Sequence, residues 1–175
     1  MDTELEAARQ QFIQGLSRIS AFWGFPKAMG AIYGVIYLSM EPIGLDAIVA
    51  QVGLSKGAVS TNARHLERLG MIHKHLKIGD RRDYYTAEDD FWKIVRGILR
   101  EREKPEFDLA LKSVGQSLEL VTGRRSEGDS ELAAFYENRL RGMEEFFNLL
   151  DKVVAALISL ERFHEGSILK LLGRR

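Results

Sequence analysis

The chain has 175 residues, with 25 Lys and Arg against 25 Asp and Glu, no Cys and 45% apolar residues. That length suits one domain, or a small domain with an extension, and the apolar fraction excludes wholesale disorder. Without Cys there is no disulfide framework, no thiolate metal site and no Cys nucleophile. A net charge of zero excludes a uniformly basic coat for nucleic acid but leaves room for a local patch.

Met1-Asp2-Thr3-Glu4 is acidic where a secretory signal would be basic. No apolar run approaches the roughly 18 residues of a membrane span. The expectation is a cytoplasmic protein with no membrane partner.

Leu5, Ala8, Phe12, Leu16 and Ile19 recur at helical spacing, so residues 3–20 read as an amphipathic helix. Gly24-Phe25-Pro26 breaks it, and Pro26 suits the first turn of a second helix carrying Met29, Ile32, Tyr33, Ile36 and Tyr37. That helix should stop near Glu41-Pro42, because a proline disfavours helix in the residue before it.

Residues 45–70 then read as two short helices around a tight connection. Leu45, Ile48, Val49 and Val52 form the inner face of the first, and Gly53 is its stop. Ser55 is a good N-cap for the second, which carries Val59, Ala63, Leu66 and Leu69 inward. The period changes at Met71–Ile78, which alternates, and Asp83-Tyr84-Tyr85-Thr86 can pair back across a Gly79-Asp80 turn. Thr86-Ala87-Glu88-Asp89 resembles a capped helix start.

Beyond residue 88 the chain reads as helical, punctuated by Pro105 and the 123–128 stretch. The last piece, about 129–163, carries Leu132, Tyr136, Leu140, Met143, Phe147, Leu150, Val154 and Leu157 at near-heptad spacing, as an intersubunit seam would. The fold class expected is mainly α with a small β-hairpin: a winged helix-turn-helix plus a helical dimerisation region. Residues 1–40 supply N-terminal helices supporting core or dimer, 41–87 the DNA-binding unit, and 88–175 the dimerisation helices.

Helix, turn, helix, hairpin is the order in which one helix braces a second in the major groove while the wing reaches the backbone or the minor groove. The charges agree. Lys56, Arg64, Arg68, Lys74, Lys77, Arg81 and Arg82 stand against only Glu67 and Asp80. The candidate DNA contacts are Ser55, Lys56, Gly57, Ser60, Thr61, Arg64, His65, Lys77, Arg81 and Arg82. Small hydroxyls at Ser60 and Thr61 allow close approach, and Arg64 can grip guanine with two hydrogen bonds. Lys56 and the free N–H groups beside it can hold a phosphate. In the wing, one arginine can enter the minor groove while Asp80 orients the other, and Arg81 is the favoured reader.

Gly30-Ala31-Ile32-Tyr33-Gly34-Val35-Ile36-Tyr37-Leu38, Gly53-Leu54-Ser55-Lys56-Gly57-Ala58-Val59-Ser60 and Gly79-Asp80-Arg81-Arg82-Asp83-Tyr84-Tyr85 together resemble the GbsR/MarR-type transcriptional regulators, over about residues 22–104. The family usually has Arg where Ala31 stands and Leu where Ala63 stands; the second difference suggests a looser local core. The resemblance implies a dimeric winged-helix repressor or activator whose dimer is built by N- and C-terminal helices.

Phe22, Trp23, Tyr33, Tyr37 and Trp92, with Phe25, would attract a quaternary ammonium if their rings formed a cage, and core packing is the competing reading. His73 and His75 share a strand face but lack an obvious third ligand, so no metal and no cofactor is expected. No Gly-rich phosphate loop or nucleophile elbow marks an enzyme. The function expected is sequence-specific binding of double-stranded DNA at a near-palindromic operator by a homodimer, with control by a small-molecule effector left open. The alternative is a winged-helix interaction module of a larger assembly.

Overall fold

A computed structural model describes residues 3–123 and 130–159. In chain order these form α1 (Thr3–Phe22), α2 (Lys27–Tyr37), β1 (Ile43–Gly44), α3 (Leu45–Val52), α4 (Lys56–Arg68), β2 (Ile72–Leu76), β3 (Asp83–Ala87), α5 (Phe91–Ile98), a π-helical turn (Leu99–Glu103), α6 (Lys104–Gly123) and α7 (Ser130–Ser159). The described residues up to Ile98 form one compact unit and those from Leu99 onward a second. The rest of the predicted break, 124–128, and the predicted helix end, 160–163, lie outside the described residues.

The first unit is built around α2. Met29, Ile32, Val35 and Ile36 are buried, and they pack with Ile48 of α3, Val59, Ala63 and Leu66 of α4, Ile72, Tyr85 and Ile94. Burying side chains of this size stabilises by about 1.5–3 kcal/mol each, which is why an apolar helix sits at the centre. Ala63 is fully buried in that core. Helix α1 crosses α2 at Gly30, where an added Cβ would lie 2.3 Å from the Leu16 carbonyl oxygen. Arg9 donates to the Gln51 side chain, tying α1 to α3.

Several boundaries differ from expectation. Pro26 is the N-cap of α2, and the helix begins one residue later. It ends at Tyr37 rather than near Glu41. The Ser39 hydroxyl donates to the Val35 carbonyl at 2.7 Å, and its N–H donates to Ile36, closing the helix early. That releases the chain for β1, a third strand too short to show a period. The sheet is antiparallel in the order β1-β3-β2, with Ile43 opposite Tyr85 and Lys74 opposite the same Tyr85. The capped start expected at Thr86–Asp89 is also displaced. Thr86 and Ala87 stay in β3, paired with His73 and Ile72, and Asp90 takes over the cap. Its carboxylate accepts from the N–H groups of Trp92 and Lys93 at 2.9 and 3.2 Å.

Glu88 lies buried between β3 and α5. Its carboxylate accepts from the Asp90 N–H at 3.0 Å, meets His73 Nε2 at 3.1 Å and faces Lys93 at 3.6 Å. Its carbonyl accepts from the Tyr33 hydroxyl at 2.9 Å. Burial alone would raise the pKa of Glu88, but the hydrogen bonds from Asp90 and His73 and the charge of Lys93 outweigh it, leaving the pKa below the ordinary carboxylate value. A depressed folded pKa gives stability that is present above the unfolded value and lost as pH falls through the folded one. Glu88→Gln should therefore cost about 1–2 kcal/mol at neutral pH. In urea titrations the gap from wild type should close as the pH is taken from 7 towards 3. A gap independent of pH would contradict the charged role.

In the second unit α6 and α7 run antiparallel, with Lys104 Nζ bonded to Asp151 at 2.8 Å and to Asp108 at 2.9 Å. The near-heptad residues of α7 divide into two sets. Leu140, Phe147 and Leu150 are half-buried and Val154 is buried, whereas Leu132, Tyr136, Met143 and Leu157 stay exposed. Phe135, Phe146, Leu149 and Val153 are exposed as well. The exposed set thus extends beyond the stripe the sequence suggested, and part of that stripe packs within the chain.

Candidate nucleic-acid interface

Helix α4 is fixed from both ends. The Ser55 hydroxyl accepts from the Ala58 N–H at 3.2 Å, as an N-cap should. Ahead of it Gly53 takes φ 67°, a conformation that glycine adopts without strain, and so closes α3. Val59, Ala63 and Leu66 then fasten one face of α4 to the core. The opposite face carries Gly57, Thr61, Arg64 and His65, all exposed, with Ser60 half-buried beside them. Arg64 reaches back to the Thr61 hydroxyl at 3.5 Å, a long contact that leaves the guanidinium easily redirected. Lys56 is not a solitary cation: its Nζ meets Asp46 of α3 at 2.7 Å.

The wing is organised by Asp80. Its carboxylate accepts from the Arg82 backbone N–H at 3.0 Å, from the Arg82 guanidinium at 2.6–3.0 Å and from the Tyr84 hydroxyl at 2.9 Å. The Arg82 guanidinium, its backbone N–H and the Tyr84 hydroxyl together hold the Asp80 carboxyl well below the usual carboxylate range. The Arg82 guanidinium is also 5.8 Å, and Lys77 Nζ 6.0 Å, from the centre of the Tyr84 ring. Arg81 is exposed, and among the described residues its side chain forms no ion pair. The wing and the start of α4 enclose a cleft of about 360 Å³, lined by Leu45, Asp46, Lys56, Arg81, Arg82 and Tyr84 among others. Three cations at its wall suit an anionic backbone, while Asp46 and Asp80 hold Lys56 and Arg82 in place.

The structure therefore gathers Lys56, Arg81 and Arg82 around the cleft, with Ser55 capping α4, Gly57, Ser60, Thr61, Arg64 and His65 along that helix, and Lys77 on the wing. Asp46 and Tyr84 were missed by the sequence reading. Asp46 reads only as an acid in the first turn of α3, and Tyr84 only as a strand residue. The spacing of Asp80 and Tyr84 across the wing was the available signal.

The aromatic set separates. Tyr33 is buried, with burial raising its pKa, and its ring lies 5.6 Å from Tyr37, which also meets Phe12 at 5.8 Å and Phe91 at 6.0 Å. Phe22 and Trp23 pair edge-on at 5.7 Å at the end of α1, both exposed. Trp92 is half-exposed on α5. His75 bonds the Thr86 hydroxyl at 2.7 Å. Among the described residues no group of three or more His, Cys, Asp or Glu could hold a metal ion, and no helix is long and apolar enough to cross a membrane.

No family model matches the chain. Over 91 residues it is 28% identical to YvaV of Bacillus subtilis strain 168, whose name makes it an HTH-type transcriptional regulator; the match covers 52% of this chain and 51% of that protein. Over 113 residues it is 24% identical to the HTH-type transcriptional repressor GbsR of the same organism, covering 65% of this chain and 62% of GbsR. This is a winged helix-turn-helix chain that resembles the GbsR/MarR-type regulators. It spans less than two thirds of the length of either relative. A crystal structure of a transcriptional regulator superposes with a TM-score of 0.63 at 20% identity, over 86% of this chain and 95% of that one, a likeness of fold.

Proposed function

We propose that this GbsR/MarR-like chain binds double-stranded DNA sequence-specifically as a homodimer and regulates transcription. The observation that carries the reading is the shared site: an exposed recognition face on α4 and a wing whose cations meet across one cleft. Helix α4 lies in the major groove, where Arg64 swings from Thr61 to a base edge. Ser60, Thr61 and His65 line the approach. Lys56, Arg82 and the N–H groups at the start of α4 hold phosphates, and Arg81 enters the minor groove. The exposed apolar stripe of α7 supplies the intersubunit seam, and two copies of α4 read a near-palindromic operator. An effector acts by favouring one spacing of the two recognition helices over another. Phe22, Trp23 and Trp92 are the exposed members of the aromatic set at which it would bind.

Selection of bound duplexes from a random library by purified protein tests this. A two-fold-symmetric motif is expected, and folded protein that enriches none would favour the interaction-module reading. Arg64→Ala should weaken binding by about 1–3 kcal/mol and relax preference at one base position per half-site. A loss of the same size on every sequence would make Arg64 a backbone contact instead.

A further inference from the structure

The tip of the wing holds an apolar side chain in water. Ile78 is 103% exposed, and Leu76, two residues earlier, is 78% exposed. Their neighbours behave differently. Lys77 and Arg82 lie over the Tyr84 ring, Asp80 grips Arg82, and Lys74 pairs with Asp83 at 2.9 Å. Lys74, Lys77, Asp80 and Arg82 thus fold back onto the hairpin, while Arg81 and the isoleucine are left exposed at the turn. An apolar tip set among cations matches a partner that is anionic at its rim and apolar within. The DNA minor groove has that character, with phosphate rows outside and deoxyribose walls inside.

We propose that Ile78 is a specificity-determining contact, inserted into the minor groove beside each half-site and selecting A·T pairs there. The inference rests on the DNA-binding reading. Its chemistry is steric: the guanine N2 amine projects from the floor of a G·C minor groove, whereas A·T pairs leave that floor open. Isoleucine is among the apolar side chains that enter minor grooves and part base steps. The cleft supports DNA over another anionic surface, because Arg81 and Arg82 share it with Lys56 at the start of α4. The partner that meets the wing therefore also meets the recognition helix.

The test selects duplexes with the full chain and with Ile78→Ala at one salt concentration. At a wholly exposed site the substitution leaves the fold intact. Wild type should enrich A·T pairs flanking a half-site core. Ile78→Ala should keep the core while its flanks return towards the composition of the input library. Placing inosine for guanine in a G·C flank removes the amine and should restore wild-type affinity, with little change for the variant. Identical flank preferences in the two proteins would overturn the role of Ile78 and leave DNA binding standing. No motif from wild type would overturn the DNA reading itself, and this inference with it. Unchanged flanks, together with wild-type-only sedimentation on phosphatidylglycerol vesicles, would reassign the tip to a membrane surface.

Discussion

Gly30→Val is expected to unfold the first unit or come close to it. The α1–α2 crossing brings the Leu16 carbonyl oxygen and carbon to 2.3 and 2.6 Å of the point where a Cβ would sit, with the Ser20 Cβ at 2.8 Å. Two of these three atoms are backbone, so no rotamer change relieves the clash, and the helices must separate. Overpacking of a core usually costs about 1–3 kcal/mol, and a backbone clash at a central crossing belongs at or above the upper end. Against a typical total stability of about 5–15 kcal/mol that is a large fraction. Gly97, whose Cβ would meet the Leu69 carbonyl oxygen at 2.0 Å, should respond similarly. Gly15 supplies the contrast: it lies inside α1 with nothing within 4 Å. Gly15→Ala should stabilise by about 0.5–1 kcal/mol through lower backbone entropy in the unfolded chain. Urea unfolding of the three variants checks this, and equal effects at Gly15 and Gly30 would contradict the close crossing.

Leu149→Asp is expected to convert the proposed dimer to monomer and to cut operator affinity by orders of magnitude. Leu149 is 62% exposed within the chain, with Phe146 and Val153 exposed near it on α7. A charge there leaves the packing of α6 on α7 intact but would have to be desolvated, unpaired, in an intersubunit seam. Leu150 is a poorer probe, because it is half-buried inside the chain and its loss would also disturb the fold. The DNA effect follows from valency. Two linked recognition helices gain roughly 10²–10⁴ in avidity over one, and a monomer forfeits it. Sedimentation and duplex titration together provide the check. A dimer that survives Leu149→Asp with native helicity would place the seam elsewhere.

The two variants probe different levels of the molecule. Gly30 governs whether α2 can sit at the centre of the first unit, and so whether α4 and the wing are presented at all. Leu149 tests whether two such chains are held together, as proposed. Arg64→Ala and Ile78→Ala are expected to act on DNA affinity and sequence preference without unfolding the chain or splitting the proposed dimer, which separates recognition from folding and assembly.

Local chemistry alone determined much of this protein. Apolar residues at helical spacing marked α1 to α4, Ser55 and Gly53 marked the ends of two helices, and the excess of cations over residues 56–82 marked the face proposed here for DNA. Each of these is a short-range property: a period, a cap, a local charge count. Only the tertiary structure decided the rest. A two-residue β1 carries no period, and it exists because β3 offers it an edge. The start of α5 moved from Thr86 to Asp90 because pairing with β2 claimed the strand backbone first. The Asp80–Arg82 pair, two residues apart, was legible in the sequence, whereas Lys56 read as a solitary cation until the fold brought Asp46 of α3 against it. The apolar stripe of α7 divided because a heptad pattern says that a face is to be covered, not by which chain. Periodicity encodes that a side chain leaves water; the partner that covers it is set by contacts distant in sequence, and those belong to the fold.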